Sequence, residues 1–290
     1  MSILKAALLT TLTGWTITAS RAAVNDVLPA DYFPPAANSV ALYAYDRDFG
    51  GPYSRGHSML DGHIDSQALA LRAVWATECQ GYRLAPIVVL SAARSHADTP
   101  LDRFIGDHAG GSGDARIGLT LWPIANKEKA RYLGITAMAI LPTGDYDSRQ
   151  VLNIGENRWR FVLSGGFQQE VLRDLLLEVS PEVAWYGDNA DYRNGRRLAQ
   201  AASYAVTGYA RYRLTPTWHV HAGGQINRGG NTHVDGVNQK NPPDNQRVMM
   251  GVTWLGASGQ QAILRFARDT RIENGFNLRN EVLLRFSQSY

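Results

Sequence analysis

Residues 175–225 read LLLEVSPEVAWYGDNADYRNGRRLAQAASYAVTGYARYRLTPTWHVHAGGQ. Taken in steps of two, Leu175, Leu177, Val179, Pro181, Val183 and Trp185 share one parity, against Glu178, Ser180, Glu182 and Ala184. After a polar interval the pattern resumes. Ala202, Tyr204, Val206, Gly208, Ala210, Tyr212 and Leu214 oppose Ser203, Thr207, Arg211 and Arg213. A short turn at Thr215-Pro216 follows, and then Trp218, Val220, Ala222 and Gly224 oppose His219, His221, Gly223 and Gln225. A period of two is the signature of a β-strand. Each run has roughly ten residues, and about 9–11 are what a tilted strand needs to cross a bilayer.

The same unit recurs outward in both directions. Strands are expected near 39–47, 66–77, 82–92, 113–123, 131–141, 157–168, 246–255 and 261–269, with a last one around Val282, Leu284 and Phe286. With the three runs above, that makes twelve. Polar stretches rich in Gly, Asp and Pro, such as 93–112 and 228–245, alternate with short turns. The expected fold is all-β: one transmembrane antiparallel β-barrel, with long extracellular loops and short periplasmic turns. Unpaired backbone groups in hydrocarbon are costly, so the first and last strands should meet. Trp75, Trp159, Trp185, Trp218 and Trp254 lie on the apolar parity near strand ends, where interface girdles place aromatic rings. The chain ends in Tyr290 with apolar residues at even spacing before it, which suits a signal for the outer-membrane assembly machinery.

Composition agrees. Hydrophobic residues make up 44% of the 290, too few for a helical membrane protein but enough for a barrel that shows lipid only alternate side chains. The single Cys79 excludes an internal disulfide and a multi-cysteine metal site. The net charge of +3 comes with scattered Arg and no Lys-rich block, which is not a nucleic-acid footprint. Residues 1–22 carry Lys5, an apolar core and Ser20-Arg21-Ala22, the pattern of a secretory signal peptide. The mature barrel is then 23–290, with 23–37, containing Pro29, Pro34 and Pro35, as an irregular periplasmic lead-in.

Gly110-Gly-Ser-Gly-Asp114, Leu141-Pro-Thr-Gly-Asp145 and Asn153-Ile-Gly-Glu-Asn157-Arg-Trp159 together resemble the outer-membrane protein family named for the phenol-degradation meta-pathway. That resemblance implies a monomeric twelve-stranded barrel in the outer membrane of a Gram-negative bacterium. It implies a channel for small, hydrophobic or aromatic solutes, surrounded by outer-membrane lipid and lipopolysaccharide. It implies no catalytic residue, cofactor or metal.

The polar parity assigns side chains to the interior: Arg72, Arg116, Arg158, Arg160, Glu178, Glu182, Arg211, Arg213, His219, His221, Gln225, Arg247, Arg265, Glu281 and Arg285. They read either as a net-basic conduit or as Arg–Glu braces that fill it. Gly110, Gly111, Gly113, Asp114, Pro142 and Gly144 are candidates for a loop or constriction. The glycines lack the pattern and the strand-to-helix context of a phosphate loop. His219 and His221 have no third metal ligand at a telling spacing. A lipid hydrolase would need Ser180 or Ser203 beside a histidine and an orienting group. A plugged barrel without transport is the other alternative. Strand five is apolar on both faces and contains Met138, which with the glycine loop suggests a sideways exit for neutral solutes.

If the leader is removed after Ala22, N-terminal sequencing of protein taken from the outer membrane will begin at Ala23. A chain that still begins at Met1 would contradict this reading.

Overall fold

The computed structural model describes residues 17, 18 and 27–290. The signal peptide expected at 1–22 therefore lies outside the described residues, apart from Ile17–Thr18, whose backbone pairs with Leu152–Asn153.

Twelve long strands build the wall. They are β1 (Ser39–Ser54), β2 (His63–Val74), β3 (Tyr82–Ala97), β4 (Arg116–Asn126), β5 (Arg131–Ile140), β6 (Arg160–Leu172), β7 (Leu175–Tyr186), β8 (Ser203–Arg213), β9 (Trp218–Gly229), β10 (Asp244–Leu255), β11 (Gln260–Arg271) and β12 (Gly275–Ser289). Each pairs antiparallel with its sequence neighbours. The seam closes between β1 and β12, from Ser39 opposite Ser289 to Tyr53 opposite Gly275. Closure leaves no sheet edge, which is the condition for a sheet in hydrocarbon. No helix among the described residues is long and apolar enough to cross a membrane.

Alternation decides which way each side chain points. Leu69, Leu71, Leu90, Ile117, Leu119, Phe161, Leu163, Val206, Met250, Phe266 and Leu284 are exposed on the outer face. On the opposite parity, Thr120, Thr136, Ser164, Gln168, Thr207, Thr253, Arg265 and Glu281 are buried inside. Trp75, Trp159, Trp185 and Trp218 are exposed at or beside strand ends, and Trp254 is half-buried. Trp122 is the exception, buried and turned inward. In β5, Tyr132, Thr136, Met138 and Ile140 point in, while Ile135 points out. Composition could not separate these two faces. Met138 packs inside with Ile140, Val162 and Ala184. β5 is paired with β6 from Arg131 to Ile140, and with β4 on its other edge with one register shift at Leu121/Ile124.

Several strands run past their expected ends. β1 continues to Ser54 through register shifts at Asp48/Phe49 and Phe49/Pro52. β3 continues to Ala97, and its outward residues change from Leu90 and Ala92 to Arg94 and His96. Here the strand has left the apolar band, so no oily face marks it. The stretch 93–112 is not an irregular loop. It holds the end of β3, a helical turn Asp102–Ile105, and a returning strand His108–Ser112 paired to β3. Beyond the barrel, Asn189–Tyr192, Arg196–Gln200, Thr232–Val234 and Val237–Asn238 form a small separate sheet around Tyr192, Leu198 and Val234.

A charged side chain placed on the outer band pays for its transfer into lipid. Leu119→Arg should destabilise the barrel by about 2–4 kcal/mol in urea titrations of protein folded into lipid vesicles. Stability within about 0.5 kcal/mol of wild type would mean that Leu119 does not face hydrocarbon.

Candidate functional site

The lead-in does more than precede β1: residues 27–32 pack inside the barrel. Leu28 is fully buried against Ala41, Tyr43, Ile263 and Leu283. The Ala30 N–H donates to Glu178 Oε2 at 2.7 Å. Asp31 Oδ1 lies 2.5 Å from Arg285 Nη1, and its Oδ2 lies 3.5 Å from Arg72 Nη1. The Tyr32 hydroxyl donates to Ser164 Oγ at 2.8 Å. The Tyr32 carbonyl accepts from Trp122 Nε1 at 2.9 Å, which explains the inward tryptophan. The Tyr209 hydroxyl donates to the Val27 carbonyl at 3.1 Å. These partners stand on β2, β4, β6, β7, β8 and β12, so the segment crosses the lumen. Gly166 makes room for it. A Cβ there would sit 1.9 Å from the Tyr32 ring.

Above this segment lies a network of buried charge. Glu281 receives Arg47 and Arg265, each at 2.6 Å. Arg247 pairs with Asp269 at 2.8 Å, and Arg211 with Glu178 at 2.8 Å. Arg158 and Arg160 share the Glu156 carboxylate at 2.9 and 3.0 Å. Removing one member of such a pair leaves a buried charge uncompensated, at a cost of about 3–5 kcal/mol. Gln225 donates to Thr207 Oγ1 at 2.9 Å. His219 Nδ1 is 3.3 Å from Arg211 Nη1, and His221 meets the Tyr209 ring edge-on.

The structure places all fifteen interior candidates on buried or half-buried positions, and sorts them by height. Arg158, Arg160 and Arg247 gather at one end with Glu182. Arg265 and Glu281 pair at mid-strand, Arg211 pairs with Glu178 and stands opposite His221, His219 lies opposite Arg213, and Arg72 and Arg285 hold Asp31. Arg116 is half-buried where β4 begins. Arg213 stands apart near the turn 214–217, bound to Glu170 and Asp174. Neither Ser180 nor Ser203 hydrogen-bonds a histidine among the described residues. Ser180 Oγ donates to the Gly165 carbonyl at 2.8 Å, and Ser203 Oγ is 2.7 Å from the Tyr186 hydroxyl. Among the described residues, no three of His, Cys, Asp or Glu converge as metal ligands.

The glycine motifs form a knot between two loops. Asp114 accepts the Gly144 N–H on Oδ1 and the Glu156 N–H on Oδ2, each at 2.9 Å. Burial pushes the Asp114 carboxyl above its usual range. Asp145 accepts the Ser112 N–H at 2.6 Å, and its carbonyl accepts the Gly155 N–H at 2.8 Å. Gly111, at φ 141°, leaves space for the Asp145 carboxylate. Gly110 lies in the returning strand opposite Arg94, Gly113 packs on Ser91, and Pro142 is half-buried. The knot fixes Glu156, and through it Arg158 and Arg160. Farther along the same loop, Val151 and Leu152 join Ile64, Ala97, Leu101 and Ile105 in an apolar cluster across the barrel mouth. A cavity of about 160 Å³ lies beside Glu156, Arg158, Arg160, Arg247 and Asp269.

Sequence reasoning missed Asp31, Tyr32 and Glu156. Glu156 carried a signal, since it lies inside a motif. Asp269 lies on the polar parity of β11. Asp31 and Tyr32 carried none, because their partners are distant in sequence.

A family model described as the putative MetA-pathway of phenol degradation matches residues 47–286. No curated protein sequence matches the chain. The fold is similar to the crystal structure of an outer membrane channel from Pseudomonas putida F1, at 24% identity over 91% of this chain and 100% of that one, with a TM-score of 0.85. It is also similar to the β domain of the Bordetella autotransporter BrkA, at 12% identity over 88% of this chain and 100% of that one, with a TM-score of 0.54. A mutant of the monoaromatic hydrocarbon channel TodX matches at 9% identity over 89% and 92% of the two chains, with a TM-score of 0.50. These are likenesses of fold.

Because Gly166 seats the Tyr32 ring, Gly166→Val should expel the lead-in and leave the wall intact. Hydrogen exchange should show the amides of 28–33 protected in wild type and exposed in the variant. Equal protection in both would contradict the packing described.

Proposed function

The chain belongs to the family described as the putative MetA-pathway of phenol degradation, and we propose that it is a passive channel for small hydrophobic or aromatic solutes. It works in the outer membrane of a Gram-negative bacterium and transports rather than catalyses. The observation that carries this reading is the combination of an apolar outer wall with an interior that keeps a cavity lined by Glu156, Arg158, Arg160 and Arg247. A protein that served only as an anchor would gain nothing from polar groups arranged around such a space.

The connections 127–130, 173–174, 214–217 and 256–259 lie at the periplasmic end, with both termini. The connections 98–115, 141–159, 187–202 and 230–243 face outward among the lipopolysaccharide. A signal peptide over 1–22 exports the chain, the assembly machinery inserts it through the strand that ends at Tyr290, and it works as a monomer. Charge follows from the interior groups. Arg47, Arg72, Arg116, Arg158, Arg160, Arg211, Arg247, Arg265 and Arg285 face Asp31, Glu156, Glu178, Glu182, Asp269 and Glu281. Arginine is in excess, so small anions are favoured over cations in the lumen.

One observation favours a second reading, a plugged barrel without transport: residues 27–32 fill the lumen. Planar bilayers and liposome uptake separate the two. As a channel, the protein will pass a small, anion-selective current, with a reversal potential on the chloride side in a KCl gradient, and will speed entry of a single-ring aromatic compound into liposomes. Absence of both current and uptake would establish the plugged barrel.

A further inference from the structure

We propose that the cavity behind the mouth is a binding subsite for a single-ring aromatic acid, with its carboxylate held by Arg158. The inference rests on the channel reading and gives it a ligand class.

Size comes first. The cavity measures about 160 Å³, and a cavity of roughly 150 Å³ in another protein holds one benzene. One ring fits. Phe49, Tyr186 and Phe276 contribute aromatic surface to the lining. Two of these, Phe49 and Phe276, also pack on the mouth cluster, so the subsite adjoins the outermost apolar residues of the barrel.

Charge selects what the ring carries. The Arg158 side chain is 1% exposed. Its Nε and Nη2 donate to Glu156 Oε2 at 3.0 and 2.9 Å, and Nη2 also to Gln200 Oε1 at 2.7 Å. Its Nη1 has no hydrogen-bond partner among the described residues. Arg160 takes the other oxygen of the same Glu156 carboxylate at 3.0 Å. Two guanidiniums therefore draw on one carboxylate, and the two N–H donors of Arg158 Nη1 remain to be satisfied. A buried donor left unmatched costs about 1–3 kcal/mol, and an anionic acceptor returns the most. Arg158 also lies 4.7 Å over the Tyr186 ring, which fixes the guanidinium plane. Glu182 lines the cavity too and opposes an anion, so its charge sets how tightly the acid is held.

The probe is benzoate, with benzyl alcohol as its neutral counterpart, titrated calorimetrically into the full mature protein in detergent. Benzoate should bind saturably at one site and more tightly than benzyl alcohol. Arg158→Gln should weaken benzoate about tenfold or more and leave benzyl alcohol nearly unchanged. Because Arg158 also braces Glu156, a second variant keeps the test sound: Ala205→Phe fills the cavity without touching the ion pairs and should abolish binding of both. Glu182→Gln should tighten benzoate. Benzoate binding no tighter than benzyl alcohol, or indifferent to Ala205→Phe, would overturn the assignment. Liposome uptake is scored separately. Uptake without saturable benzoate binding removes the subsite and spares the channel, while binding without uptake does the reverse.

Discussion

Backbone hydrogen bonding in hydrocarbon is the constraint on which this structure depends. An N–H or C=O without a partner there costs several kcal/mol, so strands can cross only if the sheet has no edge. The seam from Ser39–Ser289 to Tyr53–Gly275 meets that demand. Once the sheet is closed, the alternation of side chains leaves no choice. Leu71, Leu119, Phe161 and Phe266 must face out, and Arg265, Glu281 and Arg285 must face in.

An interior filled with charge creates the next demand, since each buried ion needs a partner. Glu281 between Arg47 and Arg265, Asp269 on Arg247 and Glu178 on Arg211 answer it from within the wall. The remaining arginines are answered from outside the wall. Asp31 in the lead-in meets Arg285 and Arg72, and Glu156 in a loop meets Arg158 and Arg160. The segments that narrow the lumen are therefore the ones that complete its charge balance.

The wall was legible in the sequence wherever one face met lipid and the other met polar groups, as in 175–186 and 203–213. It was illegible where that contrast vanished. β5 is oily on both faces because Met138 and Ile140 join an internal apolar cluster. The ends of β1 and β3 lie beyond the apolar band, so Arg94 and His96 on their outer face look like loop residues. The interior arginines followed from parity alone, because an arginine at mid-height cannot face hydrocarbon cheaply. Their partners followed only in part. Glu178, Glu281 and Asp269 share strand parity, but Asp31 and Tyr32 come from a proline-rich stretch without period. The glycine motifs marked a loop, and the structure gives the reason: Asp114 and Asp145 need close backbone approach at Gly111, Gly144 and Gly155.

The closed seam is tested most directly by a cysteine cross-link between the first and last strands. Ala44 and Leu284 are register partners on the outer face. With Cys79 replaced by Ser, the pair Ala44→Cys and Leu284→Cys should form an intramolecular disulfide in outer-membrane preparations, as readily as a control pair at Ala44 and Leu69 within β1 and β2. A control pair that cross-links while the seam pair stays reduced would mean that β1 and β12 do not meet, and the barrel with its inward charge would have to be abandoned.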